Sequence, residues 1–181
     1  MKQFKTAAES RLSITELMVP SHSNFGGKVH GGHILSLMDQ IAFACASKHS
    51  QRYCVTASVN RVDFLHPVEV GDLLTLKASI NYTGRTSMVV GVRVESQHVT
   101  TGKKRHCNSS YFTMVAKDEN GKNIAVPGLL IQDEQGVRRF ARSKFRKEAA
   151  FQRDTQFDSS SFNAADYIRH LTTENVQVHL K

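Results

Sequence analysis

Residues 24–39 read NFGGKVHGGHILSLMD, and they hold the residue types from which an acyl-transfer site is built. Asn24 is a neutral amide in a glycine loop. Gly26, Gly27, Gly31 and Gly32 let backbone approach a ligand closely and permit positive φ. A helix starting at Gly31 or Gly32 presents unpaired N–H groups and the positive end of its dipole. Asp39 is the one formally charged side chain between Lys28 and Lys48. Free N–H groups suit a developing oxyanion, where each donor is worth about 3–4 kcal/mol in the transition state. A carboxylate in apolar surroundings makes a strong base once ionised, able to deprotonate a water. Amides that polarise a carbonyl, beside an acid that activates water, describe hydrolysis of an acyl compound.

Each part has a plainer reading. Asn in a loop forms turns, and a single Asp on a helix often faces solvent. His30 and His33, three apart, can meet on one helix face, but no third metal ligand is evident and no metal is expected. Cys45, Cys54 and Cys107 are odd in number and far apart, which argues against a disulfide frame or zinc ribbon. Neither a G-x-S-x-G elbow nor a G-x-x-x-x-G-K-[ST] loop occurs.

The elements that must position these groups follow from hydrophobic periodicity. RLSITELMV (11–19) reads as a first strand, and PSHSNFGGKVHGG as a loop. From Gly31 or Gly32 to about His49 the chain is helical and apolar on nearly all sides, which predicts a buried helix. LLTLKASIN (73–81) and SMVVGVRVES (87–96) alternate apolar and polar residues with period 2. VTASVNRVDF (55–64) alternates with a change of phase that predicts a bulge near Asn60–Arg61. NSSYFTMVA (108–116) completes the set and ends in a turn at Asp118–Gly121. Short connections imply antiparallel neighbours. An α+β domain in which one antiparallel sheet wraps one long central helix satisfies both apolar surfaces. This domain is read over residues 1–133, with residues 134–181 as a C-terminal basic helical extension and polar tail. Val137, Ala141 and Phe145 mark the expected apolar face of that helix, and Tyr167, Ile168 and Leu171 a short final helix.

The chain has 181 residues, a net charge of +8 and a pI near 9.6. Residues 134–181 contribute nine basic against six acidic residues, so the excess is shared along the chain. Such a charge attracts anions: nucleic acid, a membrane surface or a polyanionic small molecule. The basic stretch 138–147 carries only Phe140 and Phe145 as aromatics and no recognised nucleic-acid motif, so no nucleic-acid partner is expected. Polar residues interrupt the one long apolar run, and the N-terminus lacks an apolar leader core, so no membrane partner is expected and the cytoplasm is the expected compartment.

NFGGKVHGGHILSLMDQIA resembles the N-x-x-G-x-V-H-G-G…M-[DE] segment of the hotdog-fold acyl-CoA thioesterases, the bacterial broad-specificity and mammalian cytosolic group. VTASVNRVDFLHPVEVGD and NYTGRTSMVVGVRVES are similar to that family's next two blocks, so the resemblance covers about residues 12–133. It implies hydrolysis of acyl-CoA thioesters to fatty acid and coenzyme A without a separate cofactor. Asp39 would be general base or nucleophile. Asn24 would position the water or the carbonyl, and the N–H of Gly31 or Gly32 would form the oxyanion hole. Arg85, Thr86 and Ser87 would meet coenzyme A, with His30 as a further substrate contact. Some relatives have their functional Asn two positions later, where this chain has Gly26. The resemblance also implies at least a homodimer, with hexamers built as trimers of dimers, and Asn24 and Asp39 drawn from different subunits. Two rivals remain open: a hotdog dehydratase of 3-hydroxyacyl thioesters using His30 or His33, and a non-catalytic hotdog protein binding acyl-CoA or nucleic acid through 138–147.

Overall fold

The computed structural model describes residues 3–156 and, beyond them, residues 163, 164, 168 and 175–178. In chain order the elements are β1 (Phe4–Thr6), α1 (Ala7–Ser10), β2 (Leu12–Leu17) and a 3-10 turn (Pro20–His22). Then come α2 (Gly31–Ser50), β3 (Tyr53–Val59), β4 (Asp72–Thr83), β5 (Ser87–His98), β6 (Lys104–Lys117), β7 (Gly128–Leu130) and α3 (Glu134–Gln156). Two compact units divide the chain, residues 1–144 and 145–181.

Five strands form one antiparallel sheet in the order β2-β4-β5-β6-β3. Alternation decides its inner face. Leu74, Leu76, Ala78 and Ile80 of β4, Met88, Val90, Val92 and Val94 of β5, and Phe112, Met114 and Ala116 of β6 are all buried. Against them α2 buries Ile34, Leu37, Met38, Ile41, Ala42, Cys45 and Ala46, and it packs on all five strands. Each fully buried Val, Leu, Ile, Met or Phe among them contributes about 1.5–3 kcal/mol. A curled antiparallel sheet around one long helix is the hotdog arrangement. The helix ends at Gln51, whose left-handed backbone (φ 54°) returns its N–H to the Ser47 carbonyl at 2.7 Å.

Four expectations change. The helix is not buried on all sides: Leu35, Ser36, Gln40, Phe43 and Ala44 form an open stripe. The sheet covers one face only, and none of the described residues covers this stripe. The β3 bulge lies at Thr56–Ser58 rather than Asn60–Arg61, and β3 ends at Val59. The apparent phase change at 60–64 arises because this segment leaves the regular ladder: the N–H groups of Asn60 and Leu65 still donate to Tyr111 and Cys107, while Ser110 Oγ donates to the carbonyls of Asn60 and Arg61. A parallel pair, β1 with β7, joins the N-terminus to residues 128–130, and strands of three residues are too short to show a period. Finally, Val137, Ala141 and Phe145 of α3 are exposed. Gly136, Phe140 and Ser143 are the residues that turn inward, Phe140 against the Tyr82 ring at 4.8 Å. The short final helix expected around Tyr167 and Leu171 falls on residues outside the described ones.

His49 is buried in the last turn of α2, with Nδ1 3.2 Å from Ser10 Oγ and Nε2 3.4 Å from the Pro127 carbonyl. Burial lowers its pKa below the ordinary value of 6.5, outweighing the Pro127 carbonyl, which favours the charged form. The unfolded chain therefore takes up a proton first as pH falls. Stability is whole above about pH 6.5 and declines below it. Urea unfolding from pH 7.5 to 5 should show this slope, and His49→Gln should flatten it. At Gly91 a Cβ would collide with the amide of buried Asn81 and touch Tyr111. Gly91→Ala should cost about 1–3 kcal/mol by the same measurement.

Candidate active site

The loop before α2 is tightly specified. The Asn24 side-chain oxygen accepts from the N–H groups of Gly26 (2.9 Å) and Lys28 (3.2 Å), while Gly27 takes a positive φ of 73°. Buried Val29 donates to the Val68 carbonyl, and Lys28 Nζ pairs with Glu69 at 2.7 Å. Asn24 therefore does form the turn. Its oxygen is committed to the loop, and its exposed amide NH2 makes no bond among the described residues.

At the helix start the two glycines differ. His30 is the N-cap, and its Nδ1 accepts from Gly32 N–H at 3.0 Å. That removes Gly32 as a free oxyanion donor. Gly31 N–H has no such partner among the described residues, and the Phe64 ring lies so close that a Cβ there would meet it at 3.3 Å. His30 is thus an architectural residue of this helix.

Asp39 is half-buried at the margin of the open stripe. Its neighbours Met38 and Ile41 point into the core instead, because adjacent helix positions do not share a face. Its carboxylate accepts a 2.6 Å hydrogen bond from the Thr56 hydroxyl, which also touches the Met114 sulfur at 3.4 Å. Thr56 was not foreseen. A hydroxyl residue within the alternating VTASV segment was the only trace of it in the sequence. Cys45, one residue of the same helix that could have served as a nucleophile, is excluded: burial pushes its thiol up to about 12, so no thiolate forms near neutrality.

One chain does not gather these groups. Asp39 follows Gly31 by eight residues, about 12 Å along the axis. Arg85 is exposed at the tip of the β4–β5 hairpin, with Thr86 and Ser87 half-buried below it. The Arg85 and Thr86 carbonyls accept from Val126 and Ala116, and Ala116 pairs with Cys54 near the C-terminal end of α2. The glycine loop stands at the other end of that helix. Amides, acid and guanidinium are strung along some 30 Å of helix.

The thioesterase superfamily model matches residues 26–103, which hold the glycine loop, α2 and the hairpin. Protein VdlD of Helicobacter pylori is 43% identical over 143 residues, 79% of this chain and 82% of that protein. A Bacillus subtilis protein described as an uncharacterized acyl-CoA thioester hydrolase, YkhA, is 35% identical over 71% and 75% of the two chains. Among solved structures, an apo-hexameric acyl-CoA thioesterase superposes with a TM-score of 0.83 at 39% identity, covering 86% of this chain and 99% of that one. An acyl-CoA hydrolase from Staphylococcus aureus, solved with butyryl coenzyme A, coenzyme A and coenzyme A disulfide, gives 0.78 at 30% identity, covering 93% and 98%. With the hotdog fold and the glycine-loop helix, these define the class: the chain belongs to the thioesterase superfamily, in the branch of the acyl-CoA thioester hydrolases.

Replacing the N-cap tests the reading of His30. His30→Ala should lower stability by about 1 kcal/mol. His30→Asn, a better capping residue, should restore it in denaturant titrations, whereas a side chain needed for its imidazole would not be rescued.

Proposed function

We propose that this protein hydrolyses acyl-CoA thioesters, with Asp39 as general base toward water and the Gly31 N–H as oxyanion donor. The observation that carries this reading is the Asp39 carboxylate, fixed by Thr56 on the open face of a helix whose first N–H is free. Water loses its proton to Asp39 as its oxygen adds to the thioester carbon. The negative oxygen forms at the Gly31 N–H. Collapse breaks the C–S bond, the coenzyme A sulfur takes up the proton, and the free acid leaves. Thr56 holds the carboxylate in one orientation while it acts. Asn24 uses its free amide NH2 to position the water or the carbonyl. Arg85, with Thr86 and Ser87, meets coenzyme A phosphates, for which a guanidinium is well suited. No resident metal or cofactor is required by these steps.

Solved variants of the Staphylococcus aureus hydrolase replace an asparagine, an aspartate and a threonine with alanine. Their order and spacing match Asn24, Asp39 and Thr56, which supports treating the three as one unit. An acid about 12 Å from the oxyanion donor cannot serve the same carbonyl, so the working site combines Asp39 of one subunit with Asn24 and Gly31 of another. Support for such an assembly comes from the unpaired edge of β3 and the exposed Leu35, Phe43, Tyr53 and Val59 beside it. The hexameric relatives support a hexamer, which we read as a trimer of dimers. A cytoplasmic setting fits three free, buried cysteines.

A thiol-release assay across short, medium and long acyl-CoAs tests the activity. Asp39→Asn should lower turnover by about 100-fold or more while coenzyme A still binds; full activity in that variant would overturn the assignment. Asn24→Ala should reduce the rate by a smaller factor. Mixed oligomers of the two variants should regain activity, because one of their two sites then carries neither lesion. No recovery on mixing would place both residues in one chain's site.

A further inference from the structure

Glu16 of β2, His22 of the 3-10 turn and His33 in the first turn of α2 converge although no sequence spacing joins them. His33 Nε2 lies 3.5 Å and His22 Nδ1 3.9 Å from the same oxygen, Glu16 Oε1, and the three ligand atoms all fall within 4.8 Å of one another. The two imidazoles stack with centroids 3.8 Å apart. His22 Nδ1 and His33 Nε2 are shielded from solvent and lack a hydrogen-bond partner. Buried polar atoms are nearly always satisfied, so two unsatisfied nitrogens beside one carboxylate need an explanation.

We propose that Glu16, His22 and His33 bind a divalent transition-metal ion of the zinc class, with solvent at the fourth position. Two imidazoles and a carboxylate are a ligand set that zinc accepts, at 2.0–2.2 Å from each donor. A tetrahedral site of that size separates its ligand atoms by about 3.4 Å, which the glutamate–histidine distances already approach. The neighbouring backbone suits a clamp: His30 N–H donates to the His22 carbonyl at 2.8 Å, so both ends of the loop carrying Asn24 are held at this cluster. A bound ion fastens β2, the 3-10 turn and α2 together and fixes the loop. It is not the hydrolytic centre of its own chain, since Asp39 lies six residues on from His33, about 9 Å along the helix and on another side.

The test uses the full chain freed of metal by chelation and titrated with Co2+ and then Zn2+. One equivalent of Co2+ per chain should give the visible absorption of a four-coordinate centre, and Zn2+ should displace it. His22→Ala and His33→Ala should each weaken Zn2+ binding by about 100-fold, and Glu16→Gln by about tenfold. His98→Ala should leave binding unchanged. Zn2+ should also raise the melting temperature of the parent chain and not that of the histidine variants. A measurement on the unaltered protein guards against variants that fail to fold: Zn2+ should shift the imidazole resonances of His22 and His33. Absence of a stoichiometric site, shifts confined to other histidines, or binding retained when both are replaced would each overturn the proposal.

Discussion

The structure depends on a helix with two faces and a sheet that can cover only one. Ile34, Met38, Ile41 and Cys45 lie against the inner surface of β4, β5 and β6, and the depth of that burial fixes where the helix sits and how it is rotated. Rotation then decides the chemistry. With those four positions turned inward, Asp39 must fall at the boundary between covered and uncovered surface, where Thr56 of the neighbouring strand can reach it. Had the helix been enclosed all round, a lone carboxylate there would carry a large desolvation penalty. Standing at the rim, it stays half-exposed and still borders apolar side chains.

The groups of the proposed site are dispersed by their positions along the helix. The start of α2 is given to hydrogen-bond donors, its middle to the acid, and the strand turn beyond its far end to a cation. A long thioester with a phosphorylated handle, the substrate class proposed above, would extend over such a span. On the proposed reading, dispersal within one chain and convergence between chains are two aspects of one design, in which the open stripe of the helix is completed by association.

Much of this was legible in sequence because the governing patterns are local. Period-2 alternation in 73–81 and 87–96 located β4 and β5, and the glycine pair before an apolar run located the start of α2 within a residue. What sequence could not supply was anything decided between distant segments. The apolar composition of α2 implied burial on every side, because composition does not reveal that only one sheet is available to cover it. Gly31 and Gly32 were equivalent until the His30 ring capped one of them. His33 showed no companions in sequence because Glu16 and His22 reach it from β2 and the 3-10 turn. Thr56 became visible only once β3 was placed beside α2, where its hydroxyl reaches Asp39. The apolar spacing of α3 pointed to Val137 and Ala141, whereas small Gly136 and Ser143 allow the closer approach and turn Phe140 inward.

The burial of the cysteines has a chemical consequence for an enzyme of this kind. Hydrolysis of a thioester liberates a thiol, and in oxidising conditions that product becomes a disulfide able to exchange with any accessible thiolate. Cys45, Cys54 and Cys107 are all enclosed, and Cys45 is held protonated far above neutrality. The protein can therefore work amid its own leaving group without being capped by it, and its surface is open to the introduction of single reporter thiols.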